Sequence, residues 1–478
     1  LRGPFKPDGS SFHHCNHYPA YALGGFRGIS PVLYFLSGGH FSVKEQAHAG
    51  IRKSLLMMRL YCNTYNWLLS MASRHPIGEG KHASISTLDP FWYLALAGSP
   101  DGGAKVDEEL AGAYLRLAKE AEGIPLIGKE SDRVSYLEGL GYQEEKAPEG
   151  HWTMNYAAAA LHRRGEWLCG VRGHSRYLWA NETYLNANLY GRYISHGHLQ
   201  VLSRGKPIAH RANGYQVEGF DFSSWPGTTA IHLEPDELKS HVRNVDNLSG
   251  FEEMLLSDQS FAGGTESDRT GNGIFAMILH EHPKYNGSHW ARKSWFFMDD
   301  LILCLGSDIE NNDRDHETFT TLFQCALERD LKGKATYLED RVLEESPEEL
   351  RLTLEKATYL LDPASNAYFI PAGQDLVFSQ KLQHAKSPIT SEPTEGHFAK
   401  ARLCHGKAPK SGRYTYVLRP QTSREEATAL SNILQDDEPF TIYRQDKGAH
   451  VVYDRKQNTM QYVLFEAGEV LIDGADRF

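Results

Sequence analysis

Val-Asp-Glu-Glu-Leu-Ala-Gly-Ala-Tyr-Leu-Arg-Leu-Ala-Lys-Glu-Ala, residues 106–121, places Val106, Leu110, Ala113, Tyr114, Leu117 and Ala121 at a 3.6-residue period. That spacing predicts an amphipathic helix, stopped at Gly123 with Pro125 beyond it. Nearer the start, Ser42 and Glu45 form a capping-box pattern ahead of a helix carrying Ile51, Leu55 and Met58. Asp89-Pro90 reads as an N-cap followed by proline at the first helical position, leading into Phe91-Trp92-Tyr93-Leu94. Residues 1–147 are therefore expected to be helical.

After about Gly150 the period shortens to two. Trp167–Val171, His198–Leu202, Trp295–Phe297 and Tyr414–Val417 are short alternating runs. They are broken by turn signals at Arg204-Gly205, Asn213-Gly214, Asn286-Gly287 and Asp473-Gly474. Leu301–Leu305, ending at Gly306, reads as a buried strand. The expectation for residues 148–478 is a large antiparallel β-sandwich, with the charged stretch from Glu339 to Glu355 as a solvated edge or loop. There is no internal repeat.

The chain has 478 residues, 41% of them hydrophobic, which suffices for two or three cores. No apolar run is long enough to cross a bilayer, so no membrane partner is expected. A net charge of −11 excludes a general basic field for nucleic acid but allows an anionic substrate in one local cleft. The six cysteines are scattered without a Cys-x-x-Cys pair, which argues for free thiols and against zinc or redox motifs. The chain opens at Leu1 without a leader pattern and reads as a processed or partial chain.

The residues best suited to moving a proton sit together in His-His-Cys-Asn-His-Tyr-Pro-Ala-Tyr, residues 13–21. Pro19 opposes a continuous helix, so a loop feeding a helix near Pro19 is expected, with His14 and Tyr21 lining one cleft. The same stretch reads equally well as core aromatics with histidines capping a turn. Arg74, in Ser73-Arg74-His75-Pro76 after an apolar segment, reads first as a helix-end charge. Glu182 lies between aromatics in Leu178–Tyr184, and a carboxylate there is expected to be paired. His196-Gly197-His198 and His280-Glu281-His282 lack the spacing of a helical zinc site and read as strand or loop histidines. No serine nucleophile elbow is present. A glycosidase needs two facing carboxylates, and Glu182 has no convincing partner.

Taken in order, these segments resemble polysaccharide lyase family 8, and within it the bacterial chondroitin ABC lyases. The resemblance rests on Pro7-Asp8-Gly9, His14 and Tyr18-Pro19-Ala20-Tyr21, then Arg74-His75-Pro76, then Asn181-Glu182-Thr183-Tyr184. It continues through Tyr190-Gly191-Arg192-Tyr193, Ser195-His196-Gly197, Trp225-Pro226-Gly227-Thr228-Thr229, Thr321-Leu322-Phe323-Gln324 and Pro393-Thr394-Glu395-Gly396. The resemblance implies an α+β multidomain fold: the C-terminal portion of an incomplete α/α toroid, then a large antiparallel β-sandwich. On this view roughly the last 80 residues open a small further β-domain. Family members are far longer, so the first toroid helices, an N-terminal β-domain and some substrate-gripping residues have no counterpart here. His13 stands where a close relative carries Arg.

By the same resemblance the catalytic residues are His14, Tyr21, Arg74 and Glu182. Substrate-binding residues are His13, His17, His75, Asn181 and Arg192. A positive groove of His13, His14, His17, Arg74, His75, Lys81, His82 and Arg192 would reconcile the acidic chain with a polyanion. The implied activity is β-elimination at the uronic acid of chondroitin sulfate, dermatan sulfate and hyaluronan. Lyases of heparin-type or alginate-type chains, and a carbohydrate-binding protein without catalysis, are the alternatives. No cofactor is required, with calcium or magnesium left open. The implied setting is a monomer, secreted or periplasmic in a bacterium, working with or without a missing N-terminal part.

Overall fold

Among the described residues, five α-helices lie in the first part of the chain: α1 (Pro19–Leu36), α2 (Glu45–Tyr61), α3 (Leu88–Ala97), α4 (Glu108–Glu120) and α5 (Lys129–Gly139). The computed structural model describes residues 3–14, 16–63, 66–76, 85–120, 129–242, 252–435 and 439–468. Cys15, Lys81, His82, the Gly123–Pro125 stop and the Asp473-Gly474 turn lie outside the described residues. The other five cysteines are free thiols.

α4 buries Leu110, Ala113, Tyr114 and Leu117 as its period requires, each large side chain contributing roughly 2 kcal/mol. Gly112 stands inside this helix for a packing reason. A Cβ there would stand 3.2 Å from the backbone nitrogen of Glu145, where the next segment crosses. Two expected caps are not used. α2 begins after Lys44 with no side-chain cap, and Ser42 closes a separate turn through its N–H to the Gly39 carbonyl. α3 begins at Leu88, directly after a 3-10 turn at Ile85–Thr87. The Asp89 carboxylate is instead bound by Lys129 at 3.0 Å and Arg133 at 2.6 Å.

From Gly150 onward the chain is antiparallel sheet. A four-stranded sheet (Gly150–Met154, Ala159–Arg164, Trp167–Arg172, His198–Leu202) lies against the helices. Behind it stand a nine-stranded and a five-stranded sheet. The buried strand Leu301–Glu310 lies inside the nine-stranded sheet, between Trp290–Met298 and Gly412–Arg419. The charged stretch supplies edge strands at Arg341–Leu343 and Leu350–Thr353. A helix at Arg424–Gln435 and a three-stranded sheet (Phe440–Gln445, Ala449–Asp454, Thr459–Leu464) cover the outer face of the nine-stranded sheet.

Helices and first sheet share one core, in which Leu55, Met58, Phe91 and Tyr114 pack with Met154, Leu161, Leu168 and Leu202. Leu68 presses so close to the strand at Gly170 that a Cβ there would lie 2.2 Å from its Cδ1. Buried Arg172 ties three segments together, donating to Asn16 Oδ1 at 2.6 Å and to the carbonyls of Ser70 and Trp179. Gln200 accepts the Leu69 N–H at 2.9 Å. These contacts hold the turn at residues 66–76 against the sandwich. That turn is a short 3-10 segment at Leu69–Met71, not the end of a long helix.

Candidate active site

The turn, the start of α1 and the strand Glu182–Tyr184 converge on one carboxylate. Glu182 is fully buried, and such a charge is costly unless every lone pair is used. Its Oε1 accepts from Arg74 Nη1 at 2.7 Å and from His14 Nδ1 at 2.8 Å. Its Oε2 accepts from Ser73 Oγ, and its backbone carbonyl accepts from Asn188 Nδ2 at 2.9 Å. Asn188 Nδ2 also donates to the Ser73 carbonyl at 3.3 Å.

Three of these partners take left-handed backbone conformations: His14 at φ 50°, Ser73 at φ 52° and Asn188 at φ 50°. None is glycine, so each conformation costs about 1–3 kcal/mol and persists because the surroundings hold it. Here the common holder is Glu182.

Arg74 reaches past Glu182 to Tyr21, donating from Nη2 to the phenol oxygen at 3.1 Å. Its guanidinium also faces the Tyr184 ring, 4.5 Å from the centroid. Burial opposes the Arg74 charge, but Glu182 and the neighbouring phenols raise its pKa overall. Tyr21 is 41% exposed, with its ring stacked on His13 at 4.0 Å and 3°. Tyr18 lies edge-on beneath it at 4.7 Å and is 1% exposed. Burial, then the Glu182 charge, pushes the Tyr18 phenol well above its ordinary range. Of the two tyrosines, only Tyr21 couples solvent access to a cationic donor.

His14 spends Nδ1 on Glu182 and keeps a side chain 25% exposed, which leaves Nε2 as the nitrogen available to a ligand. Burial, then the charge of His14, lowers the pKa of His13. Burial and the Arg74 charge do the same for half-buried His75. The Tyr184 phenol is pushed up to about 12, first by its hydrogen bond with Glu252.

Three residues expected at the substrate lie buried apart from this cluster. His17 is buried against the Tyr61 ring, its Nδ1 accepting the Ser11 N–H at 3.0 Å. Asn181, adjacent to Glu182 in an extended run, is buried on the other side and donates to Thr183 Oγ1 at 3.0 Å. Arg192 is buried over the Tyr285 ring at 3.8 Å, with Glu281 Oε2 at 3.6 Å. The proposed positive groove thus reduces, among the described residues, to His13, His14, Arg74 and His75. His196 and His280 are structural as well: His196 stacks on His174, and His280 stacks on Trp290 while bonding Asp258. Among the described residues no three potential ligands gather around a metal position. No helix among them is long and apolar enough to cross a membrane.

Ser73, Asn188 and Tyr184 were not singled out by the sequence as site residues. The one signal pointing to the first two is position, since each stands within eight residues of a site residue.

The family model described as "Lyase, catalytic" matches residues 1–123, and "Polysaccharide lyase family 8, super-sandwich domain" matches residues 149–431. The chain is 40% identical over 489 residues to the chondroitin sulfate ABC exolyase of Bacteroides thetaiotaomicron, covering 99% of this chain and 46% of that protein. It is 37% identical over 475 residues to the chondroitin sulfate ABC exolyase of Proteus vulgaris, covering 98% and 44%. A solved chondroitinase AC lyase superimposes with a TM-score of 0.74 at 19% identity, over 99% of this chain and 63% of that one, a likeness of fold alone. The chain spans about half the length of the curated relatives it matches. With the two family models falling in order on its helical and sheet portions, this chain belongs to polysaccharide lyase family 8.

Proposed function

We propose that this chain cleaves glycosaminoglycans of the chondroitin sulfate, dermatan sulfate and hyaluronan type by β-elimination at the uronic acid. The observation that carries the reading is the chain of contacts from Tyr21 through Arg74 to Glu182 and His14. The curated relatives, named for chondroitin sulfate, support the substrate class. On this reading the division falls near residue 147, and the helices belong to an α/α toroid. The substrate chain lies in the cleft between helices and sandwich.

The reaction needs a base for the C5 proton and relief of the uronate's own negative charge. His14 and Arg74 supply that relief, facing the carboxylate and the enediolate-like charge that develops on it. Arg74 donates to the Tyr21 oxygen, which sets a fixed cationic donor on the atom that exchanges the proton. The phenolate takes the C5 proton, the electron pair forms C4=C5, and the C4–O bond breaks. For glucuronate the same phenol then returns the proton to the leaving oxygen. For iduronate the C5 proton lies on the opposite ring face, where His14 Nε2 serves as base and Tyr21 as acid. Glu182 touches no substrate atom; it is a positioning residue that fixes Arg74 and the His14 tautomer. Every charge in this scheme comes from side chains, so no cofactor is required. A secreted or periplasmic location follows from a polymeric substrate.

Incubation with chondroitin, dermatan, hyaluronan, heparin and alginate, read by absorbance of the new double bond and by product mass, tests the substrate class. Y21F is expected to lower turnover by about 10³-fold or more while polymer binding stays within a few fold. Near-normal turnover in Y21F would remove the base from the scheme.

A further inference from the structure

On the lyase reading above, on which this inference rests, we propose that Tyr184 is a positioning residue for Arg74: its ring sets the plane of the guanidinium, so that the edge not spent on Glu182 meets the Tyr21 oxygen.

A carboxylate and a guanidinium can pair through two parallel N–H···O bonds, which fix the plane of the cation as well as its place. Glu182 does not hold Arg74 that way. Its Oε2 is taken by Ser73, and its Oε1 is shared between His14 and a single Arg74 nitrogen, Nη1. One hydrogen bond fixes a point and leaves the guanidinium free to turn about it. Tyr21 receives Nη2 at 3.1 Å, but Tyr21 is 41% exposed and its oxygen is the atom that exchanges the proton. An anchor whose charge changes during the reaction cannot set the geometry it depends on.

Tyr184 supplies what the ion pair lacks. In the extended segment Glu182–Tyr184, residues two apart project from the same side, so Glu182 and Tyr184 reach the same cation. Thr183 turns the other way, its Oγ1 donating to the Asn188 carbonyl at 3.1 Å. Arg74 Cζ lies over the Tyr184 ring, 4.5 Å from the centroid, with the Tyr18 ring farther off at 5.9 Å. Guanidinium groups stack on aromatic faces, and such a stack restrains the plane that one hydrogen bond leaves open.

The ring is itself held from two directions. Its strand pairs with Glu252–Met254, where Tyr184 stands opposite Glu252 and its phenol hydrogen-bonds to that residue. Beyond it the backbone turns tightly. The Tyr184 N–H donates to the Ala187 carbonyl at 3.1 Å, and the Ala187 N–H donates back to the Tyr184 carbonyl at 2.9 Å. Asn188, the next residue, ties this turn to Ser73 and to the Glu182 carbonyl. A planar side chain fixed at backbone and tip gives the cation a stationary face.

The test compares Tyr184→Leu, which removes the ring, with Tyr184→Phe, which keeps it and gives up only the bond to Glu252. On chondroitin sulfate, Y184L is expected to lose about tenfold in kcat, the scale of one partly buried cation–π contact, with KM within about twofold. Y184F is expected to recover most of that loss. Equal losses in the two variants would move the role from the ring to the phenol, and a loss confined to KM would make Tyr184 a substrate contact. Either outcome overturns the positioning role, as does parental kcat in Y184L. Melting temperatures of the parent, Y184L, R74A and the double variant are read alongside and need no turnover. Y184L is expected to lower the melting temperature of the parent by more than that of the R74A chain, in which the ring has no cation to face. Strictly additive shifts mean that ring and guanidinium do not interact, and sink the proposal. Tyr184→Met, a second ringless side chain, replaces Y184L should that variant fail to fold. A parent chain that releases no unsaturated product from any polymer fails the lyase reading, while the melting cycle still decides the contact, so the two failures are told apart.

Discussion

At the scale of single residues, the site turns on how one carboxylate is shared. Glu182 has two cationic donors on one oxygen and a hydroxyl on the other. E182Q preserves this shape: the amide oxygen can face Arg74 and His14, and the amide N–H₂ can donate to Ser73. What disappears is the charge that anchors the guanidinium and sets the imidazole tautomer. A misplaced catalytic group costs on the order of 100-fold in rate, so E182Q is expected to lose about that much kcat. KM should stay within a few fold and the melting temperature within a few degrees. A fall in KM-governed binding with kcat preserved would make Glu182 a substrate contact instead of a positioning residue.

At the scale of elements, the turn at residues 66–76 and the segment from Glu182 to Asn188 are folded around each other. Ser73 donates to the Glu182 side chain and accepts, through its carbonyl, from Asn188. Its positive φ is an energetic burden that glycine would relieve. S73G therefore separates stability from catalysis. Urea melts are expected to move by no more than about 1 kcal/mol in either direction, because relief of strain offsets the lost hydrogen bond. Turnover is expected to drop roughly tenfold as Glu182 loosens, with the loss in kcat and not in KM. Kinetics identical to the parent would mean that the strained turn does not support the site.

At the scale of the whole molecule, histidines dominate the response to acid. Eight of them, His17, His151, His162, His174, His196, His198, His289 and His450, are buried, and burial lowers every one. Several fall to about 3 or about 4. Several serve the folded state as neutral hydrogen-bonding groups, as where His450 lies 2.7 Å from Ser294 Oγ and 2.8 Å from Ser307 Oγ. In the unfolded chain each binds a proton below its ordinary value near 6.5, whereas the folded chain does not. Their contribution is therefore complete above about pH 6.5 and falls as pH drops through it, by up to about 1.4 kcal/mol per unit per histidine. Asp362, raised by burial to about 6, Glu281 and Asp454, also raised by burial, and His316, raised first by its hydrogen bond with Asp313, act with the opposite sign but are four against eight. Half of the eight acting fully would remove roughly 5 kcal/mol between pH 6 and 5, comparable to a domain's whole stability. The melting temperature is expected to fall steeply from pH 7 to pH 5. An unchanged melting temperature over that range would show that these imidazoles can be charged in place.

The sequence alone determined what depends on neighbours along the chain. The change of period near residue 150 is local, and so the helices before it and the strands after it were legible, as was the start of α1 at Pro19. The segments holding His14, Tyr21, Arg74 and Glu182 were legible through their residue types and order. Packing overrode the cap patterns at Ser42, whose backbone N–H closes a turn, and at Asp89, whose carboxylate joins an ion pair. Direction was decided only in three dimensions. His14 and His17 are three residues apart, yet one meets Glu182 across 168 positions and the other turns into the core against Tyr61. Tyr18 and Tyr21 are likewise three apart, and only the second receives Arg74. Asn181 and Glu182 are adjacent, and alternation in an extended chain sends them to opposite sides. The physical reason is the same each time: the sign of φ and the partner that offsets burial are set by chain segments far away in sequence, which no local pattern encodes.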